Sequence, residues 1–265
     1  MEFIRVVVNG ALGRMGQEVV KGVAREPMLK LVGAVEAEVT QRYFPLAEGP
    51  ELVPFSSDLR SCLKSCNADV VVDFTNAETS LAAVRVAIEQ KVNMVIGTTG
   101  LSEENLVEIE QLCRANGVGV VVAPNFSLGA ALLVHLSKYA AKFFDHAEII
   151  EMHHEKKADA PSGTALATAR GMSQAHGKPF VYPKVQCEVL SNARGGQIDG
   201  IGIHSLRLPG YMAGQEVIFG GAGETLSLRH NAISRECYLP GIVLAIKEAT
   251  KLKGLIYGLD ALLKL

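Results

Sequence analysis

The sequence predicts an α/β protein built as a doubly wound parallel sheet followed by a second, α+β domain with a mixed or antiparallel sheet. Three observations lead there. Short β-branched apolar runs alternate with helical patterns through the first half of the chain. Those runs carry almost no interior polar residues, as parallel strands buried on both faces require. After about residue 126 the rhythm changes, and strands group together, some joined by Gly-rich turns.

In chain order, Ile4–Val8, Leu31–Val35, Val70–Asp73, Met94–Gly97 and Val118–Ala123 read as strands. Arg14–Arg25, Ala77–Gln90 and Ser102–Asn116 read as the helices between them. The last opens Ser102-Glu103-Glu104-Asn105, a capping serine with acids in the first turn, which the helix dipole favours. Right-handed crossovers would then join the strands into one parallel sheet. Beyond residue 126 a long helix at Leu128–Phe144 leads to a strand at Glu148–Met152, a polar stretch, and a helix from Ser162 to Ala175. A loop rich in Gly, Asn and Arg, Ser191–Gly202, precedes strands at Ile203–Leu208, Gln215–Phe219 and Thr225–His230. The terminal segment Arg235–Leu265 reads as helical, with one apolar face that returns to the first domain. The expected division is therefore 1–126 plus 235–265 against 127–234.

Composition narrows the function. The 265 residues are 48% hydrophobic and 20% charged, with a net charge of -2. A pI near 6.4 gives no electrostatic reason to expect nucleic acid or an anionic membrane as partner, so attraction for an anionic ligand has to come from a local cluster of cations. The longest apolar stretches are strand-sized, short of the roughly 20 residues that span a bilayer. The opening Met1-Glu2-Phe3-Ile4-Arg5 has neither the basic nor the long apolar region of a signal peptide. Five scattered cysteines read as reduced thiols, and the expected location is cytoplasmic.

Gly10-Ala11-Leu12-Gly13-Arg14-Met15-Gly16 places glycines three apart, directly after a strand and opening a helix. Glycine permits the tight turn and a close backbone approach to phosphate, whose charge the helix N-terminal amides meet. Alone the motif is weak. Its context is stronger, because Glu36 ends the second strand about 20 residues beyond Gly16, where a carboxylate accepts from the adenosine ribose hydroxyls. The first domain is thus expected to be Rossmann-type and to bind a nicotinamide dinucleotide. Asp73-Phe74-Thr75 and Gly97-Thr98-Thr99-Gly100 also end strands, on the side where such sheets bind ligands. Each reads equally well as a plain strand-end turn.

The most informative segment runs from Glu151 to Ala165. His153, His154 and Lys157 fall within five residues, immediately after a strand, and Pro161-Ser162-Gly163-Thr164 then opens a helix. Cations beside free helix amides make a receptor for carboxylate or phosphate. Histidine can also donate or accept a proton during a reduction. A metal site is the rival reading, but adjacent histidines share one ion poorly and the nearby lysines repel it, so no metal is expected. His204 and His230 sit in strands, where packing explains them equally well.

These motifs resemble those of the 4-hydroxy-tetrahydrodipicolinate reductase (dihydrodipicolinate reductase) family. The resemblance runs through Gly10–Gly16, Asp73–Thr75, Gly97–Gly100, Ala123-Pro124-Asn125-Phe126-Ser127, His153–Thr164, His204–Gly210 and Gln215–Gly220. It implies reduction, in diaminopimelate and lysine biosynthesis, of the cyclic imine formed when the hydroxylated substrate loses water. It implies His153 as proton donor and acceptor, and Lys157 as a second donor that meets a substrate carboxylate. His154, Gly163 and Thr164 would hold the carboxylates of this small cyclic dicarboxylate. Gly97, Thr98, Thr99 and Ala123–Phe126 would line the nicotinamide side, and the family is typically tetrameric. Members that also accept the phosphorylated cofactor often carry an arginine after the ribose-binding acid. Here Ala37 follows Glu36, which favours NADH, although Arg14 could reach a 2′-phosphate and leaves NADPH open. Two rivals remain at this point: another dehydrogenase of the same plan, and a non-catalytic dinucleotide sensor, which would have no need of a proton donor.

Overall fold

The computed structural model describes residues 3–45 and 52–265. Met1 and Glu2, on which part of the reading of the N-terminus rests, lie outside the described residues. The chain divides into two compact units, 1–128 with 235–265 and 129–234.

The first unit begins with β1 (Ile4–Asn9), α1 (Arg14–Arg25) and β2 (Leu29–Val35), followed by β3 (Tyr43–Phe44), β4 (Val53–Ser56) and α2 (Leu59–Cys66). It continues through β5 (Val70–Asp73), α3 (Ala77–Glu89), β6 (Asn93–Ile96), α4 (Glu103–Asn116) and β7 (Gly119–Val122). Val6, Val7, Val8, Val70, Val71 and Val72 have no exposed surface, which is why β1 and β5 read as unbroken valine runs. α1 buries Gly16, Val19, Val20 and Val23, one stripe at helical spacing. Ser102 caps α4 in a reciprocal capping box with Asn105.

The second unit holds α5 (Leu128–Ala140), β8 (His146–His153), α6 (Gly163–His176), β9 (Gly196–Ile198), β10 (Ile201–Arg207), β11 (Ala213–Gly221) and β12 (Glu224–Ala232). Its sheet runs β12-β11-β8-β10-β9. β10 is parallel to β8, whereas β11 is antiparallel to it, so the sheet is mixed. One face carries Ile149, Ile203, Val217 and Phe219 against Leu133, Ala169 and Met172 of the two helices.

The chain then returns through a 3-10 turn (Arg235–Tyr238) to α7 (Leu239–Ala249), β13 (Gly254–Tyr257) and α8 (Leu259–Leu263). The first sheet is thereby eight-stranded, in the order β13-β7-β6-β5-β1-β2-β4-β3. All its pairings are parallel except that of β3 with β4. Strand order reverses between β1 and β5, the point at which such sheets open a ligand crevice.

Several boundaries differ from the expectation. The terminal segment is not wholly helical, because β13 pairs with β7 along the sheet edge. The long helix α5 stops at Ala140, and a turn replaces its expected last residues. The loop at Ser191–Gly202 contains β9 and the start of β10. β3, β4 and α2 have no counterpart among the elements expected from sequence. β8 runs on to His153, which is therefore the last residue of a strand and takes its direction from the sheet.

α7 buries Ile242, Ala245, Ile246 and Ala249 along one stripe, and Ile246 has no exposed surface. Ile246→Ala is expected to cost about 2–4 kcal/mol by the usual large-to-small core penalty, read from the urea midpoint of unfolding. A loss below about 0.5 kcal/mol, the ordinary surface value, would mean that α7 does not pack on this core.

Candidate functional site

The glycine turn sits at the strand reversal. Gly10 has a φ of +79°, and a Cβ there would also stand 3.0 Å from the Thr75 methyl and 3.1 Å from the Phe74 carbonyl oxygen. A Cβ on Gly16 would fall inside contact distance of the Gly10 carbonyl oxygen, so the first turn of α1 closes on the loop only because that residue is glycine. The amides of Gly10 and Ala11 donate to the Val35 carbonyl at 2.9 and 3.1 Å, tying the turn to the end of β2. Gly13 occupies the N-cap position of α1 in extended conformation and offers no side-chain cap, which leaves that end of the helix open to an anion.

Glu36 is held in the same place. Its carboxylate accepts from the Leu12 amide at 3.0 Å and from the Ala37 amide at 3.0 Å. Gly10, Gly13, Glu36 and Ala37 share with Phe74 and Thr75 a cleft of about 500 Å³. Its far wall comes from Asp58 and Leu59 and from α3, neither of which carries a motif in the sequence. Among the described lining residues the charged ones are Glu36 and Asp58, both acidic. Ala11, Leu12, Arg14 and Met15 belong to the turn without lining this cleft.

The other two strand ends join the turn through a carboxylate. Asp73 has no exposed surface, and it accepts from Asn9 Nδ2 at 2.5 Å and Thr98 Oγ1 at 2.8 Å. Thr75 also donates to it, from its amide at 3.2 Å and from its hydroxyl at 3.0 Å. The end of β1 and the loops after β5 and β6 are thus fixed by one side chain. The Ala123 amide donates to the Ile96 carbonyl at 3.0 Å, which sets Ala123–Phe126 beside Gly97–Thr99 at the carboxyl edge. Phe126 packs near Phe74, with ring centroids 6.0 Å apart, and the Asn125 side chain accepts from the Ser127 amide at 2.9 Å. Pro124 continues this loop. These residues form a cradle suited to a dinucleotide: a glycine turn, an uncapped helix end, an acid at the second strand end, and small hydroxyl residues beyond the strands.

The second unit carries the other cluster. His153 ends β8 and is part-buried, with Nδ1 2.5 Å from Glu151 Oε2. Lys157 follows on a turn whose amide donates to the His154 carbonyl at 3.1 Å, and its Nζ lies 2.7 Å from Asp159 Oδ1. Ser162 caps α6, its hydroxyl accepting from the Ala165 amide at 3.2 Å. The amides of Gly163 and Thr164 are left exposed at the helix N-terminus without a partner among the described residues. His154 is exposed on the same loop. All five residues singled out in sequence therefore lie on one strand end and the short loop and helix end that follow it. Burial pushes the His153 imidazole below its ordinary pKa; the Glu151 carboxylate opposes that shift, and the charges of Lys157 and Arg207 add to it.

Two residues given no role from sequence, although both lie in segments marked there, complete this cluster. Glu151 is fully buried, and Arg207 of β10 reaches its two oxygens at 3.0 and 2.8 Å. The signal in the sequence is an acid inside the otherwise apolar run Ile149-Ile150-Glu151-Met152. His204 and His230 are placed elsewhere. His204 Nε2 lies 2.7 Å from Glu148 Oε2, and burial lowers the pKa of His230, whose ring packs over Gly129. No group of His, Cys, Asp and Glu that could hold a metal ion occurs among the described residues.

Family models described as Dihydrodipicolinate reductase, N-terminus and C-terminus match residues 4–126 and 129–263. The chain belongs to the dihydrodipicolinate reductase family. A 4-hydroxy-tetrahydrodipicolinate reductase of Dehalococcoides mccartyi is 54% identical over 262 residues, 99% of each chain. One from Moorella thermoacetica is 49% identical over 98% of each. A solved dipicolinate-bound dihydrodipicolinate reductase from a Paenisporosarcina species superposes with a TM-score of 0.89 at 36% identity, covering 97% of this chain and 98% of that one. An amine dehydrogenase of Mycobacterium smegmatis, at 16% identity and a TM-score of 0.66, shares the fold. Members of the family are NAD(P)H-dependent oxidoreductases, and the cradle of the first unit fits such a cofactor.

Because a Cβ at position 16 collides with backbone rather than with a movable side chain, Gly16→Ala has to open the turn. Dinucleotide affinity, followed by NADH fluorescence, is expected to fall at least tenfold, about 1.4 kcal/mol. Unchanged affinity would show that this turn does not hold the cofactor.

Proposed function

We infer that this chain reduces 4-hydroxy-tetrahydrodipicolinate, through its dehydrated form, to tetrahydrodipicolinate with NAD(P)H, in diaminopimelate and lysine biosynthesis. The observation that carries the reading from family to mechanism is the meeting of His153 and the start of α6 at Glu151, with Lys157 on the loop that joins β8 to α6.

The first unit binds the dinucleotide. Gly10–Met15 and the amides opening α1 receive the pyrophosphate, and Glu36 accepts from the adenosine ribose. Gly97, Thr98, Thr99 and Ala123–Phe126 line the nicotinamide side, held in place through Asp73. When bound, the cofactor supplies a hydride from the nicotinamide C4.

The second unit receives the substrate and handles the proton. A cyclic dicarboxylate brings two negative charges to a protein of net charge -2, and attraction has to be local. The amides of Gly163 and Thr164, with His154, hold carboxylate oxygens, and Lys157 meets a carboxylate while standing ready as a second proton donor. His153 points Nδ1 at Glu151, so Nε2 is the ring nitrogen available for exchange. The lowered pKa makes the free imidazole an acceptor at neutral pH, and it becomes a donor once it has taken a proton. The Paenisporosarcina reductase is bound to dipicolinate, a planar relative of such a ligand, and supports this assignment by similarity.

NADH is the preferred cofactor in this reading. Ala37 offers a 2′-phosphate no cation, and the charged lining residues of the cleft, Glu36 and Asp58, would repel it. A homotetramer in the cytoplasm completes the proposal. The tetramer rests on the family resemblance, and the location on the free thiols of all five cysteines, of which Cys62 and Cys113 are buried.

In an absorbance assay of NADH oxidation with enzymatically generated substrate, His153→Gln and Lys157→Ala are each expected to lower kcat by about 10²–10⁴-fold, the usual worth of a positioned proton donor. Dinucleotide affinity should stay within twofold. Loss of NADH binding in both variants, with folding preserved, contradicts these roles, and no oxidation by the native protein with either cofactor rejects the function. A kcat/KM that favours NADPH strongly overturns the cofactor preference. Light scattering during size-exclusion chromatography tests the tetramer.

A further inference from the structure

The buried carboxylate behind His153 has a geometry that packing alone does not call for. Glu151 and His153 lie two residues apart on β8 and so point to the same face of the sheet. The β8–β10 register sets Ser205 opposite Glu151 and Arg207 opposite His153. From there Arg207 reaches back to Glu151 with both Nη1 and Nη2, and its Nη2 also donates to the Asp159 carbonyl at 2.6 Å. Glu151 accepts besides from the Ser162 amide at 3.3 Å and bonds to the Ser205 hydroxyl. One side chain thus meets Nδ1 of the histidine, the N-terminus of α6 and, through Arg207, the loop that carries Lys157.

We propose that Glu151 and Arg207 are positioning residues that set the protonation of His153: Glu151 holds the ring as the Nδ1–H tautomer with Nε2 free, and Arg207 neutralises Glu151 so that the ring faces an almost cancelled charge. This rests on the catalytic reading of His153 given above. The charged and titratable groups facing the ring are Glu151 on its own strand, Arg207 on β10 and Lys157 on the following loop, the last tempered by Asp159. α6 contributes its Ser162 cap and no charge at this point. The paired Glu151 carboxyl stays below its ordinary pKa: burial alone would raise it, but the hydrogen bonds from Arg207, Ser205 and His153 outweigh burial. These bonds favour its anionic form, the form that faces the ring. An anion facing a histidine favours the imidazolium, and a cation behind that anion cancels the preference.

The two partners then have opposite effects, which a merely structural pair would not have. Removing the negative charge with Glu151→Gln leaves Arg207 facing the ring and moves the His153 titration to lower pH. Removing the positive charge with Arg207→Met leaves Glu151 uncompensated and moves the titration to higher pH. Each shift is expected to be about 1 pH unit, the scale of one nearby charge, with Glu151→Asp returning toward the native value. The native protein and the three variants are followed by ¹H–¹⁵N imidazole NMR of His153, assigned with His153→Gln, alongside kcat/KM against pH. The native ring is expected as the Nδ1–H tautomer, and the limb of the rate profile that reports His153 should move with each shift. Circular dichroism and NADH affinity identify any variant that has lost its fold; in that case the tautomer and titration of the native ring, and Glu151→Asp, carry the test.

An unmoved titration, shifts of the same sign in Glu151→Gln and Arg207→Met, or a native Nε2–H tautomer overturns the proposal, whatever the activities. Opposite shifts in the NMR titration with an unmoved rate profile uphold the coupling but remove His153 from the chemistry. That outcome overturns the catalytic reading instead.

Discussion

A carboxylate without exposed surface has to be answered on every side, and in the second unit Glu151 is answered from β8, β10 and the start of α6. An uncompensated buried charge costs several kcal/mol, and removing one member of a buried pair typically costs about 3–5. The local structure is therefore not free to relax around it. His153 is held in one orientation, the α6 N-terminus is brought to the end of β8, and the turn at His154–Lys157 spans the gap between them. His153, the loop that carries Lys157 and the amides that open α6 stay in register because they share this hub.

The first unit solves a similar problem with different partners. Asp73 is equally buried, but the donors that meet it are the neutral groups of Asn9, Thr75 and Thr98. These neutral donors lock the end of β1 and the loops after β5 and β6 to one point. Glu151 is met by the Arg207 guanidinium and by His153, whereas Asp73 is met by hydroxyls and amides.

The sequence makes the valine strands of the first sheet legible, because burial on both faces forces unbroken β-branched runs such as Val6–Val8 and Val70–Val72. The segment from His153 to Thr164 is legible because its residues lie within twelve positions and act locally. The parts that escaped depend on distant pairing. β4, Val53-Pro54-Phe55-Ser56, carries a proline and has only a two-residue strand, β3, on its outer side, so neither alternation nor a valine run marks it. β13 has four residues and exists because β7 offers it an edge far away in sequence, hidden inside a stretch that reads as helix. Arg207 lies 56 residues from Glu151, and only the β8–β10 register brings the two together. An acid in an apolar strand signals that some partner is required. It does not say which.

The same distinction bears on the dinucleotide. Glu36 could be placed from its spacing after the glycine turn, but its strength as a discriminator depends on what holds it. A free glutamate can swing away from a phosphate at little cost, since an exposed carboxylate loses few interactions by turning to water. Here both carboxylate oxygens are engaged, one by the Leu12 amide inside the turn and the other by the Ala37 amide beyond it. Displacing the side chain would break both of these bonds. A 2′-phosphate would otherwise share the cleft with two acids. A ribose hydroxyl would meet no such conflict, because a hydroxyl can donate to a carboxylate. The Gly10 and Ala11 amides fix the same turn to the end of β2, so Glu36 and the glycine turn are held together from both sides.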